Sequence, residues 1–194
     1  WSRDLIAQLV TRIQAGKPLA LGIDIVFAEP DRYSPQALTT RYPGLPPEAL
    51  ATLPDPDRQL ARALSGQPVV LAVVGLSKAL PGSKQPARPL PALNAGAGLE
   101  QHLPRYQGAL ASQAILEQSA AGEGLINASQ GQFQADSERG VLRRVPTLGT
   151  ISQLPFLSLP LEMVRQALGD GIVVPESSGQ GMSAIRIGDY RLPT

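Results

Sequence analysis

The chain has 194 residues, 43% hydrophobic and 17% charged, a composition that suits one domain with a buried core and excludes a disordered or fibrous protein. A net charge of +1, no basic tail and few aromatic residues argue against nucleic acid as a partner. The absence of cysteine excludes disulfides, thiolate catalysis and cysteine-ligated metals. No apolar run is long enough to span a bilayer. Because the chain starts at Trp1 rather than Met, we expect it to be an excised domain or a processed product.

The first predicted unit is a helix, a turn and a strand. Residues 3–15 have the apolar spacing of an amphipathic helix, and Gly16 is placed to end it. The predicted buried stripe of this helix is Leu5, Ile6, Leu9, Val10 and Ile13. The apolar run Leu19–Phe27 then predicts a strand buried on both faces, at the centre of an α/β layer.

Residues 29–56 form a proline-rich excursion. Seven prolines preclude a long helix or an interior strand, so we expect ordered irregular structure with a helical turn at Pro47–Leu53. Asp55-Pro56 combines a helix N-cap with proline at the first helical position. A short helix ending near Gly66 should follow.

Pro68–Gly75 is a second apolar run that predicts a strand buried on both faces. Two such strands joined through a helix favour a parallel pair with a right-handed crossover. Residues 76–122 are predicted as a variable loop region, which begins with an exposed loop at Leu76–Pro91. A helix is expected around Gly108–Ser119.

Glu123–Ser129 predicts a short third strand, followed by a polar turn that contains Asp136. Val141–Leu148 predicts a further strand, which carries the adjacent residues Arg143 and Arg144. Successive side chains of a strand point to opposite faces, so at most one of these arginines is expected in a given pocket.

Leu157–Leu168 predicts a second amphipathic helix, with Ser158 as a possible cap and a buried stripe of Leu161, Val164 and Leu168. Ala184–Pro193 predicts a hairpin that turns at Gly188-Asp189. The predicted fold class is therefore α/β: a central mixed sheet with at least one parallel β-α-β crossover, flanking helices and a C-terminal β-hairpin. We expect one domain over residues 1–194.

Carboxylates are the candidate catalytic groups that the sequence offers. The sequence has neither a nucleophile elbow nor a phosphate-binding loop, and its one histidine, His102, has no marked partner. Several acids near the first strand could converge and hold a hard cation such as Mg²⁺. They are Asp24, Glu29, Asp31, Asp55 and Asp57. The alternative is that these acids only cap helices and stabilise turns.

The ordered set of segments resembles one known family. The segments are GIDIVFAEPD, DRQLARAL before PVVLAVVG, GLINAS, GVLRRVPTL, LPFLSLPLEMVRQALG and AIRIGDYRLP. In this order they resemble the CHASE domain of the second type, the cyclase/histidine-kinase-associated sensing extracellular domain. The resemblance covers nearly the whole chain and is weakest between residues 76 and 122.

The resemblance implies a set of ligand-contacting residues. Asp24 matches the acid of the family's D-x-x-F motif, and Asp57 matches the acid that opens its D-x-x-L-A helix. Asp136 corresponds to the acid of the turn before the arginine pair, and Arg143 and Arg144 correspond to that pair. The turn departs from the family's usual D-x-D-G spacing. Neither a catalytic residue nor a metal ligand is implied, and no cofactor is expected.

The resemblance further implies an extracytoplasmic, periplasmic sensor in a bacterial inner-membrane receptor. The receptor's membrane helices would lead to a cytoplasmic nucleotide cyclase or kinase, and the receptor would signal as a homodimer. The domain itself is expected to be no enzyme, and to respond to an unidentified small molecule or environmental signal. Two alternatives are a carboxylate- or metal-dependent hydrolase and a ligand-free dimerisation spacer. Asp24, Asp57 and an arginine could also form a buried ion network that only holds the fold.

Overall fold

The computed structural model of the chain describes residues 1–80, 86–90, 102–127, 145–178 and 181–193. In this part of the chain the helices are α1 (Arg3–Gln14), α2 (Pro35–Arg41), α3 (Pro47–Ala51), α4 (Pro56–Leu64), α5 (Ala114–Ser119) and α6 (Leu159–Ala167). The strands are β1 (Leu21–Ile23), β2 (Val69–Leu76), β3 (Arg105–Tyr106), β4 (Gly108–Leu110), β5 (Gly122–Leu125), β6 (Leu148–Ile151), β7 (Leu154–Leu157), β8 (Val173–Ser178), β9 (Gly181–Ile187) and β10 (Tyr190–Pro193).

The main sheet is built around β2. β1 pairs with it in parallel from Leu21↔Val69 to Ile23↔Leu71, and β5 pairs with it in parallel from Val70↔Gly122 to Val73↔Leu125. β4 is antiparallel to the last residues of β2. Helix α4 lies between β1 and β2 in the chain, so the predicted parallel β-α-β unit, the mixed sheet and the α/β class are confirmed.

Helices cover both faces of the main sheet. On one face, α1, α4 and α5 form a core with the sheet whose members include Val10, Leu60, Leu64, Leu71 and Leu116. On the other face, α6 packs against β1, β2 and β5. This sandwich explains why Val69 to Val73 of β2 have no exposed surface at all.

Two smaller sheets complete the fold. β3, β6 and β7 form one of them, and a core that includes Ile151 and Phe156 packs it against Val73 of β2. β8, β9 and β10 form an antiparallel sheet in which Glu176 of β8 binds Arg186 and Arg191. The predicted C-terminal hairpin with a turn at residues 188 and 189 is confirmed as β9 and β10.

The prediction that Leu19–Phe27 is the central, doubly buried strand was wrong. β1 covers only Leu21–Ile23, and Leu19 is 76% exposed and Ile25 49% exposed. The chain leaves the sheet after Ile23, and the Phe27 N–H donates to the Ser112 hydroxyl at 3.1 Å. The central strand is β2, which is hydrogen-bonded to other strands along both of its edges.

The predicted buried stripes of α1 and α6 were partly wrong. In α1 the buried residues are Arg3, Ala7 and Val10, while Leu5, Leu9 and Ile13 are exposed. In α6 the buried residues are Leu159 and Glu162, whereas Val164 and Leu168 are exposed and Leu161 is half-buried. Hydrophobic spacing identified both helices correctly but did not identify the face that contacts the sheet.

Other element boundaries also differ from the predictions. The region expected as a helix around Gly108–Ser119 begins as β4, because Gly108 pairs with β2, and becomes helical only at Ala114. The proline-rich excursion contains two short helices, α2 and α3, each with proline in its first turn. The predicted third strand, Glu123–Ser129, ends at Leu125. A strand was expected over Val141–Leu148, but β6 begins at Leu148. Residues 141–144 lie outside the described residues.

Glycine lets α6 lie directly on the sheet. A Cβ at Gly124 would lie 2.4 Å from Leu159 Cα and 2.8 Å from Leu159 N, both of them backbone atoms of the first residue of α6. Real Cβ atoms are essentially never this close to another heavy atom, so a side chain at position 124 would push α6 away from β5.

We therefore expect Gly124→Ala to lower the free energy of unfolding by about 1–3 kcal/mol through overpacking, measured by urea denaturation. Gly44→Ala is the matched control, because a Cβ at Gly44 would meet nothing within 4 Å. Equal stability of the two variants would show that α6 can shift at no cost.

Candidate functional site

Two cavities lie where the chain leaves the parallel strands. In open α/β sheets, ligands bind in the crevice beyond the carboxyl ends of the strands. Here the chain leaves β1 at Asp24 and β5 at Ile126. We call the two cavities the large groove, which follows β1, and the small cavity, which lies between β5 and the first turn of α6.

The large groove has a volume of about 770 Å³. Its lining combines exposed apolar side chains with charged ones from the segment that follows β1. The lining residues are Trp1, Arg3, Ile6, Ile25–Arg32 and Leu110. The groove is open to solvent, and its volume lies in the range of small-molecule sites.

A buried ion pair between Arg3 and Asp57 lies beside the large groove. The Arg3 guanidinium donates to Asp57 Oδ1 and to the carbonyl oxygen of Glu29, and its carbon lies 5.2 Å from the centre of the Phe27 ring. The backbone N–H of Arg3 donates to Asp31 Oδ2 at 2.8 Å, and the backbone N–H of Asp31 donates to Asp57 Oδ2 at 3.1 Å. These contacts tie together the first turn of α1, the groove segment and the first turn of α4.

Local sequence places both charges of this pair. Asp55 caps α4 by accepting from the N–H groups of Asp57 (3.0 Å) and Arg58 (3.3 Å), and Pro56 starts the helix. Asp57 therefore lies in the first turn, where the helix dipole favours a carboxylate. Arg3 shares one face of α1 with Ala7 and Val10, which are buried at i+4 and i+7.

The small cavity has a volume of about 190 Å³ and mostly apolar walls. Its lining residues are Asp24, Leu125, Ile126, Asn127, Val145, Pro146, Ser158, Leu159 and Pro160. Asp24 is exposed, whereas Ser158 is only 5% exposed. Ser158 occupies the N-cap position of α6, as predicted, but its hydroxyl does not cap the helix.

The wall of the small cavity is held by an amide side chain. Asn127 Nδ2 donates to Gly75 O at 2.9 Å, and Asn127 Oδ1 accepts from Gly75 N–H at 2.7 Å. The amide side chain of Asn127 therefore makes the two hydrogen bonds to β2 that the backbone of one more β5 residue would make.

The described residues contain neither a metal-binding cluster nor a membrane-spanning helix. Among residues 1–80, 86–90, 102–127, 145–178 and 181–193, no group of three or more histidine, cysteine, aspartate or glutamate side chains could hold a metal ion. Within the same ranges, no helix has the length and apolar character needed to cross a membrane.

Comparison with known proteins identifies the family. The family model described as the CHASE2 domain matches residues 1–194, which is the whole chain. The chain belongs to the CHASE2 family. No curated protein and no solved structure matches this sequence. CHASE2 is a family of sensory extracellular domains, which supports a sensor role and an extracytoplasmic location.

The structure places the predicted site residues of this CHASE2 domain in different surroundings. Asp24 lines the small cavity, whereas Asp57 is buried in the ion pair with Arg3. The predicted ion network of an arginine with both acids therefore holds for Asp57 but not for Asp24, which is exposed. Asp136, Arg143 and Arg144 lie outside the described residues.

Arg3 was missed in the sequence analysis, although a signal for it exists. Its spacing from Ala7 and Val10 places it on a face of α1 with small and apolar residues. A charged residue on such a face needs a buried partner. The sequence gives no direct indication that this partner is Asp57, which lies 54 residues away.

Removing one charge of the buried ion pair should strongly destabilise this CHASE2 domain. We expect Asp57→Asn to lower the free energy of unfolding by about 3 kcal/mol, because it leaves the buried Arg3 charge without a counter-ion. Urea denaturation measures this loss.

Arg58→Met, on the same helix, is the matched control. Arg58 forms an exposed pair with Asp55 at 3.4 Å, so its loss should cost less than about 1 kcal/mol. A loss for Asp57→Asn as small as that of the control would mean that the Arg3–Asp57 pair contributes little to the fold.

Proposed function

We propose that this CHASE2 domain is the periplasmic signal-input domain of a bacterial inner-membrane receptor that signals as a homodimer. Its membrane helices would pass the state of the domain to a cytoplasmic nucleotide cyclase or kinase. Membership of a sensory extracellular family supports the input role. The domain itself would bind a signal rather than catalyse a reaction.

The observation that carries this proposal is the connection between the large groove and α1. Segment 25–32 lines the groove, and Arg3 of α1 bonds to Glu29 and Asp31 of that segment. A molecule in the groove would contact this segment directly. A shift of the segment would change the bonds of Arg3 and so reposition the first turn of α1.

Signalling by this route requires a ligand that prefers one position of segment 25–32 over another. Only a difference in affinity between two conformations can shift their populations. The buried Asp57 would then act through Arg3, as part of the connection, rather than by touching the ligand. We propose Asp24 as a direct contact, because it is exposed and lines the small cavity.

Asp136, Arg143 and Arg144 remain predicted ligand contacts. Asp136 would suit a cationic or hydrogen-bond-donating group of the ligand, and one of the two arginines would suit an anionic group. Val145, which follows Arg144 in the sequence, lines the small cavity, and this neighbourhood supports testing the arginines together with Asp24.

A homodimer is consistent with the surface of α1. Leu5, Leu9 and Ile13 recur at four-residue intervals and are 48%, 47% and 38% exposed. Residues four apart lie on one side of a helix, so these side chains form an apolar stripe. If the stripes of two protomers packed against each other, both would be buried and α1 would lie at the dimer interface.

Thermal-shift measurements test the sensor proposal. The purified domain is heated with a panel of amino acids, sugars, dicarboxylic acids, MgCl₂ and CaCl₂, each over a concentration series. A ligand that binds only the native state raises the melting midpoint in proportion to the logarithm of its concentration above the dissociation constant. We expect at least one organic compound in the panel to do so.

Variants then locate the binding site. Ile25→Ser alters the large groove and Asp24→Asn alters the small cavity, and we expect one of the two to abolish the midpoint rise. Ile172→Ser and Asp189→Asn are matched controls, because both residues are exposed and line neither cavity. Midpoint rises with Mg²⁺ or Ca²⁺ alone that Asp24→Asn abolishes would favour the hydrolase. No rise with any compound, together with self-association, would favour the dimerisation spacer.

A further inference from the structure

The small cavity lies at the N-terminus of α6. A Cβ at Gly122 would meet Glu162 of α6, and a Cβ at Gly124 would meet Leu159, the first residue of that helix. α6 therefore runs in the opposite direction to β5, and its N-terminus lies at the edge of the sheet where the parallel strands β1 and β5 end. Leu159 and Pro160, in the first turn of α6, line the cavity.

This helix end gives one side of the cavity a partial positive charge. The N–H groups of a first helical turn have no acceptor inside the helix, and the helix dipole adds to their positive potential. Helix N-termini of this kind bind carboxylate and phosphate groups. The helix end alone does not make a binding site, but a second polar group faces the same cavity.

That group is the buried hydroxyl of Ser158, the N-cap residue of α6. Ser158 is only 5% exposed and lines the cavity. Its backbone is fixed, because its N–H donates to Thr147 O and its carbonyl oxygen accepts from Glu162 N–H, both at 2.9 Å. Its Oγ neither caps α6 nor makes another hydrogen bond within the part of the chain that the structure describes. A buried hydroxyl without a partner costs free energy, so a ligand that bonds to it gains affinity.

Asp24 brings a negative charge to the same cavity. It follows β1 and lies two residues beyond Gly22, where a Cβ would meet Met163 of α6. Residues two apart in an extended chain point to the same face, which agrees with the position of Asp24 in the cavity wall below α6. Among residues 1–80, 86–90, 102–127, 145–178 and 181–193, the Asp24 carboxylate has no hydrogen-bond or ion-pair partner.

The other walls limit the size and the polarity of a ligand. Most of them are aliphatic: Leu125, Ile126, Val145, Pro146, Leu159 and Pro160. The amide of Asn127 is already bonded to Gly75 through both of its polar atoms. The volume of about 190 Å³ is below the roughly 300 Å³ at which sites for drug-sized ligands begin. The cavity therefore suits a small molecule with a short apolar part.

Opposite charges on two sides of one cavity require a ligand that carries both charges. A simple anion at the end of α6 would be repelled by Asp24, and a simple cation at Asp24 would be repelled by the helix N-terminus. A zwitterion satisfies both sides at once. The common small zwitterion with an aliphatic part is an α-amino acid, whose ammonium and carboxylate groups are attached to the same carbon atom.

We propose that the small cavity binds a small aliphatic α-amino acid. The carboxylate of the ligand accepts hydrogen bonds from the Ser158 hydroxyl and from N–H groups at the N-terminus of α6. The ammonium group donates to Asp24, and the aliphatic side chain packs against the apolar walls. This inference names a ligand class for the proposed sensor, and only the statement that the amino acid acts as a signal rests on that proposed function.

Isothermal titration calorimetry of the purified domain tests the ligand class. The probes are L-alanine, L-valine and L-leucine, each with one analogue that lacks the ammonium group and one that lacks the carboxylate; for valine these are 3-methylbutanoate and 2-methylpropylamine. We expect at least one amino acid to bind with one molecule per domain, and both of its analogues to bind at least about tenfold more weakly, because each loses a charge-assisted hydrogen bond. Absence of binding by all three amino acids, or an analogue that binds as tightly as its amino acid, would overturn the proposal.

Two variants test the assigned contacts. Asp24→Asn should weaken binding of the amino acid at least about tenfold and should remove the preference for it over the analogue without an ammonium group. Ser158→Ala should weaken binding about fivefold, keep that preference, and leave the melting midpoint of the ligand-free domain no lower, because the hydroxyl caps no helix.

Asp189→Asn and Ser65→Ala are the matched controls, because both residues are exposed and line neither cavity. Both controls should bind the amino acid as the unmodified domain does. Unchanged affinity in Asp24→Asn and Ser158→Ala would place the amino acid elsewhere and overturn the assignment. A lower ligand-free midpoint for Ser158→Ala with unchanged affinity would show that this serine serves only the fold.

Failure of this site and failure of the sensor proposal give different results. If the amino acids do not bind but another compound raises the midpoint and Ile25→Ser abolishes that rise, the amino-acid site is overturned and the sensor proposal stands. If an amino acid binds through Asp24 but sedimentation shows the same state of association with and without it, the site stands and the proposed signalling through a dimer is contradicted.

Discussion

The complete burial of β2 is the constraint on which the rest of the structure depends. An eight-residue strand with apolar side chains on both faces is stable in water only if both faces are covered and both edges are paired. β1, β4 and β5 pair with it, three helices cover one face, and α6 covers the other. Glycines at positions 22, 122 and 124 leave the room that α6 needs to approach the sheet.

This arrangement also determines where a signal could act. Parallel pairing brings the ends of β1 and β5 to one edge of the sheet, where the two cavities are. The segment that leaves β1 pairs with no strand among the described residues. Side-chain hydrogen bonds hold it, together with the Gln113 N–H, which donates to Phe27 O at 2.9 Å. Arg3 supplies several of these bonds, so the groove segment and α1 are mechanically connected.

Buried charge on the face covered by α1, α4 and α5 is held by hydrogen bonds between distant segments. Arg3 and Asp57 are opposite charges that share further hydrogen bonds with Asp31. Glu123, on the same face, accepts from the backbone N–H of Arg88, and the Arg88 side chain binds backbone oxygens of α5. Both arrangements join segments that lie far apart in the sequence.

The sequence alone was sufficient for the features that local signals encode. These are the family, the α/β class, the capped helix after Asp55, the parallel pair of strands and the C-terminal hairpin. Tertiary structure alone decided which apolar run is central, which helix faces are buried and which charges meet. An apolar run has the same sequence pattern whether its strand pairs along one edge or along both. Arg3 and its partner Asp57 are 54 residues apart, and Arg88 and its partner Glu123 are 35 residues apart. Contacts over such separations depend on how the layers pack, and no local pattern records that packing.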